Sequence, residues 1–199
     1  MRKRTVDRGR GVDLVNIRPI VRVVDRGFWH PWWSIHKFHE HRDRVYKAGH
    51  IEGLPIQYLL DNFELIEALR FTGNLLLNEG INALWALVAG TGETKFDNTN
   101  ANIGVGDSNT AADATQTGLQ AATNKLYKAM DASYPTYGSS QKVTHRSTFG
   151  SAEANFTWNE ITVANGNSDA AKNLNRKVQA MGTKASGTSW VATQDTTLS

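Results

Sequence analysis

The sequence predicts a mainly β protein: a C-terminal antiparallel β-sandwich, jelly-roll-like, preceded by one or two helices and an extended N-terminal arm. Three observations predict it. After residue 91 the chain turns rich in Thr, Asn, Ala, Gly and Ser, and short alternating runs recur between turn residues. Between residues 54 and 89 apolar residues instead recur every three or four positions, the one-face pattern of an amphipathic helix. The charge is lopsided: residues 1–50 hold 12 Lys+Arg against 5 Asp+Glu, and the remainder holds 10 against 14. These shifts divide the chain into an arm at 1–50, a helical segment at 51–90 and a sandwich at 91–199.

The arm begins as a basic tail, "MRKRTVDRGRG", and becomes strand-like between Val12 and Val24, where Pro19 interrupts it. Next comes "FWHPWWSIHKFHEH", in which Phe28, Trp29, Trp32, Trp33 and Phe38 lie within eleven positions. So much aromatic surface predicts docking, onto the body or onto a second subunit. In the helical segment, Leu59, Phe63, Ile66 and Leu69 form one stripe. Asn74 reads as a cap for a second helix striped by Leu75, Leu76, Ile81, Leu84, Trp85 and Val88, weakened at Gly80 and ended by Gly90 and Gly92.

Six strands are expected at 101–106, 125–130, 142–150, 153–164, 174–181 and 189–199. In "EANFTWNEITVA", Ala154, Phe156 and Trp158 share one parity, and Ile161 and Val163 the other. Either a bulge near Asn159 shifts the register or both faces of that strand are covered. An Asn-Gly turn at Asn165-Gly166 follows. The stretch 106–123 is too long for a bare hairpin connection, and loops of that size usually have contacts to make.

Several chemistries find little support. The 199 residues include no cysteine, so disulfides and thiolate metal sites are excluded. There is no apolar run long enough to span a membrane, and the basic N-terminus lacks the apolar core of a secretory signal, which predicts an unexported chain. His36, His39 and His41, with His30 nearby and His50 as a distant third ligand, are the densest candidate metal ligands. Their spacing matches no established zinc or nickel site, and an aromatic-lined contact surface is the competing reading. His145 sits mid-strand without a nucleophile elbow, and "GTGETK" and "GVGDSNT" lack the ending of a P-loop. No catalytic, cofactor-binding or metal residue is assigned, and no enzymatic activity is expected. Tyr134 and Tyr137 in the sandwich loops leave carbohydrate or receptor binding as a further possibility.

The blocks "IGVGDSNTAADATQTGLQ", "NFTWNEITVANG" and "LNRKVQAMGTKASGTSW" with a Thr-rich last strand resemble a recurring module of tailed-bacteriophage structural proteins, of head-decoration, head-fibre and tail-fibre type. The resemblance spans roughly residues 74–199. It implies a virion structural role, assembly in the host cytoplasm, and other virion proteins and further copies of the chain as partners. A capsid-associated decoration protein attached through its arm is the first reading. A tail, collar or baseplate component, with receptor or carbohydrate binding, is the alternative. Within the module Gly104 and Gly106 read as sites of close strand approach, Phe156, Trp158 and Trp190 as core, and Glu160 as a cross-strand partner of Arg176 or Lys177. The expected interface residues are Trp29, Trp32 and Trp33 as anchors with Arg18, Arg22 and Arg26 as a charged rim. A protein partner is favoured over nucleic acid because the basic arm is also rich in tryptophan.

Overall fold

The computed structural model describes residues 29–39, 51, 53–90 and 92–199. Twelve elements follow one another: β1 (Trp29–His39), α1 (Ile56–Asn62), β2 (Leu65–Thr72), β3 (Leu75–Leu76), α2 (Asn78–Ala89), β4 (Asn102–Gly106), β5 (Lys125–Ala129), β6 (Thr136–Ser139), β7 (Lys142–Phe149), β8 (Thr157–Ala164), β9 (Asn175–Thr183) and β10 (Thr188–Leu198). They form two five-stranded antiparallel sheets, β2-β1-β10-β7-β6 and β3-β9-β8-β4-β5. The mainly β sandwich read from the sequence is therefore what the chain builds, with two helices ahead of β4.

One core lies between the sheets. Trp158 of β8 meets Phe149 of β7 and Trp190 of β10 edge-on, each at 4.7 Å between ring centroids. Edge-to-face contact sets the positive ring edge against the negative face of its neighbour. Ile103, Val105, Ile161 and Val163 face Trp33, Ile35 and Ala192 in the same cluster. The parity change around Asn159 has both of its expected causes. The β8–β9 register shifts between Trp158 and Glu160, and most of β8 is buried on both faces.

Both outer faces carry roofs. Over the first sheet, Ile51, Leu59, Leu54, Ile56 and Phe63 pack on Phe38 and Val191. Buried Arg146 pins this cover: its Nη2 donates to the Leu54 carbonyl at 2.5 Å, and its Nε lies 3.0 Å from the Asp131 carboxylate. Over the second sheet lies the 107–124 loop. Glu160, fully buried, accepts from Arg176 Nε at 2.6 Å and from the amides of Gln120 (3.0 Å) and Ala121 (2.7 Å). Arg176 Nη1 in turn donates to the Thr110 carbonyl and to Gln116 Oε1. Tyr127 accepts from the Leu119 amide, and burial holds its phenol protonated well above its ordinary range. Glu79 of α2 accepts from the amides of Asn173 and Gly118.

The two strand glycines make this roof possible. A Cβ on Gly104 would lie 2.6 Å from the Tyr127 ring, and one on Gly106 would lie 2.4 Å from Glu160 Oε1. Close approach is thus their role, as the sequence indicates. Gly80 does the same for α2, whose backbone packs on that of Leu174; a Cβ there would meet Leu174 Cα at 2.5 Å.

Three local expectations are corrected. Residues 65–72 form an edge strand and not helix, because Leu69 and Phe71 alternate onto the core while their neighbours face outward. Asn74 does not cap α2, which starts behind Leu77 with no side-chain cap bond; its Oδ1 accepts from Trp29 Nε1 at 3.0 Å. Trp85 and Val88 do not enter the core, and α2 instead buries its small residues Gly80 and Ala83. The turn at Asn165-Gly166 opens a longer loop, which Asn165 closes through its bonds to the Lys172 backbone.

Candidate functional site

The tryptophan strand is the sequence's most concentrated signal, and β1 distributes its three indoles unequally. Successive side chains of a strand point to opposite faces. Trp33 therefore turns inward, 1% exposed, and joins the main core beside Phe71. Trp29, half-buried, packs on the same cluster. Trp32 turns outward and is 55% exposed. The strand itself pairs with β10 from Trp29↔Leu198 to His39↔Thr188 and with β2 on its other side. Residues 29–39, placed by sequence in a separable arm, are thus an inner strand of the sandwich. Among the described residues of the aromatic cluster, Trp29, Trp33 and Phe38 pack within their own chain and Trp32 is the exception. Arg18, Arg22 and Arg26, and the strand-like run at 12–24, lie outside the described residues.

Among the described residues, nothing roofs the outer face of the first sheet around Trp32. The roof covers only the half that holds His36, Phe38 and Val191. Registers place two rows of side chains here: Thr72–Trp32–Asp195–Thr144, and Arg70–Ser34–Thr193, the second row running on to the buried Arg146 beneath the roof. Trp32, Ser34, Arg70, Thr193 and Asp195 line a cavity of about 240 Å³. Asp195 is held in place, since Oδ1 accepts from Thr144 Oγ1 at 2.5 Å and Oδ2 lies 3.6 Å from Lys142 Nζ. Together the site offers one exposed indole face, a guanidinium, a fixed carboxylate and two hydroxyls.

Among the described residues the histidines do not converge. His36 and His39 are an odd number apart on one strand and so face opposite sides of the sheet. His36 is buried and stacked on Phe38 at 6.4 Å. Burial, then the nearby Arg70 and Arg146 charges, lowers its pKa and favours the neutral ring. His41 and His50 lie outside the described residues, among which no three His, Asp or Glu groups gather as metal ligands. His145 is 2% exposed on the inner face, in register with Gln194, and neither ring nitrogen has a hydrogen-bond partner among the described residues. Burial pushes its pKa down to about 4. It is a core residue whose burial favours the neutral ring.

Sequence reasoning missed Ser34, Arg70, Thr193 and Asp195. The alternation in "SWVATQDTTLS" marks Val191, Thr193 and Asp195 as one face, but nothing local shows that β10 lies beside the Trp32 strand, some 160 residues earlier in the chain. Compared with family models, curated proteins and solved structures, the chain matches none. Any functional reading therefore stands on the residues themselves.

Two predictions follow from these placements. Trp33→Ala should cost about 3–5 kcal/mol, whereas Trp32→Ala should stay within about 0.5 kcal/mol, as measured by urea unfolding. Equal losses would show that the two indoles are not divided between core and surface. His145 binds a proton more readily unfolded, near 6.5, than folded, near 4. Its contribution is whole above pH 6.5 and fades as the pH falls toward 4, a loss of about 3 kcal/mol. The unfolding free energy of His145→Leu should fall less steeply over that window than that of the unsubstituted chain, and parallel curves would contradict the assignment.

Proposed function

We propose that the chain is a structural protein of a tailed-bacteriophage virion, associated with the capsid as a decoration protein. The observation that carries this reading is the role of the residues on which the resemblance rests. Gly104 and Gly106, Trp158 and Trp190, and Glu160 with Arg176 are together the framework that packs the sheets and fastens the 107–124 loop over one of them. A module defined by its framework serves as a rigid building block, and chemistry is not required of it. Virion proteins must present fixed surfaces to many neighbours, and a sandwich roofed on both faces provides them. Attachment is assigned to the basic segment ahead of β1, where 8 Lys+Arg face 3 Asp+Glu within residues 1–28. A tail, collar or baseplate position is the second reading; the open Trp32 face, a surface free to meet something outside the particle, favours it.

Incorporation tests the proposal. A tagged copy expressed during infection should co-purify with particles at hundreds of copies each, measured by quantitative mass spectrometry; a few to a few tens would move it to the tail or neck. Replacing Arg18, Arg22 and Arg26 together by Ala should lower incorporation several-fold while the protein stays folded. Particles free of the chain would overturn the virion role, and undiminished incorporation of the triple variant would overturn the attachment role of the basic segment.

A further inference from the structure

We propose that the open half of the outer face, centred on Trp32, is a binding site for a neutral pyranoside. The inference goes beyond the virion reading and does not depend on it. Trp32 supplies an apolar platform, more than half of it in water, while its strand neighbours Trp33 and Ile35 are buried. A large indole left uncovered beside polar groups marks a surface that gains by being covered. The polar groups stand on the neighbouring strands, Arg70 on β2 and Asp195 and Thr193 on β10, with Ser34 two residues along β1 itself. Adjacent strands lie about 4.8 Å apart, so donors and acceptors flank the platform at a spacing close to the width of one sugar ring.

The chemistry of the rim selects the ligand. Arg70 offers only donors, Asp195 only acceptors, and the Ser34 and Thr193 hydroxyls offer both. A pyranose presents the matching object: an apolar C–H face that lies on an indole, and a rim of hydroxyls that both give and accept. The Asp195 carboxylate is already oriented by Thr144, so little side-chain freedom is lost when it accepts a ligand hydroxyl. One guanidinium and one carboxylate line the cavity, and Lys142 Nζ already lies 3.6 Å from that carboxylate, so Asp195 needs no charged ligand to balance it and a neutral sugar suffices. The volume of about 240 Å³ admits a single ring.

The test uses the full-length protein and the α- and β-methyl glycosides of glucose, galactose, mannose, N-acetylglucosamine and N-acetylgalactosamine. Saturation-transfer NMR reads binding. The Trp32 indole cross-peak, assigned by its loss in Trp32→Ala, reads location. At least one glycoside should receive saturation and shift that cross-peak. Affinity should fall about tenfold or more in Trp32→Ala and in Asp195→Asn, recover in part in Trp32→Phe, and stay unchanged in Trp85→Ala, which removes the exposed indole of α2. Unaltered thermal unfolding of Trp32→Ala would show that the loss belongs to the site. The proposal is overturned if no glycoside moves the cross-peak, or if binding survives Trp32→Ala. It is equally overturned if the peak responds only to dilution, which marks a contact between copies, or only to a single-stranded oligonucleotide.

Discussion

The buried ion pair of Glu160 and Arg176 is the constraint around which the second sheet is organised. Two charges withdrawn from water need further hydrogen bonds to offset their lost hydration. Glu160 finds partners in Arg176 and in two amides of the 107–124 loop, and Arg176 Nη1 donates to Thr110 and Gln116, while its buried Nη2 has no hydrogen-bond partner among the described residues. The loop is therefore not an appendage. Its backbone is the solvent of the pair, and removing one charge would leave the other buried alone at a cost of about 3–5 kcal/mol. The requirement propagates into the strands: Glu160 Oε1 occupies the space a side chain at position 106 would need, so β4 must carry glycine there.

The first sheet repeats the device with different parts. Arg146 and Asp131 are buried together, and their surplus donors and acceptors fix the Leu54 carbonyl and Thr148. Each roof is thus fastened by a buried arginine and rests on its own side chains. The difference lies in extent. The 107–124 loop is tied along its length, whereas the 51–63 cover ends short of Trp32 and leaves a polar, indole-centred patch of sheet in water. Rigidity and exposure are thereby separated: the framework belongs to the residues that carry the resemblance, and the surface available for recognition belongs to β1, β2 and β10.

The sandwich was legible because its strands announce themselves locally. "KVTHRSTFG" alternates, Trp158 sits opposite the parity of Ile161, and all six expected strands exist, with ends within a few residues. A basic cross-strand partner for Glu160 was legible too, but the sequence left it between Arg176 and Lys177, and only the folded strands choose Arg176. What escaped was everything that depends on distant pairing. Leu69 at helical spacing from Ile66 reads equally as alternation with Phe71, and only the β1–β2 register decides for strand. Short β6 escaped because Ser140 and Gln141, both at positive φ, make its turn where Asn-Gly would have signalled one. The tryptophans were read as one cluster, although alternation on a single strand sends Trp33 to the core and Trp32 to the surface.

The most direct measurement is hydrogen exchange at the amides of Gln120 and Ala121, both of which donate to Glu160. If the ion pair holds the loop, these two amides should exchange as slowly as those of the core strands in the intact protein. In Arg176→Met they should speed up by orders of magnitude while the β7 and β10 amides stay protected. Rapid exchange at both positions in the intact protein, or protection unaffected by the loss of Arg176, would contradict the claim that the buried pair and the loop form one unit.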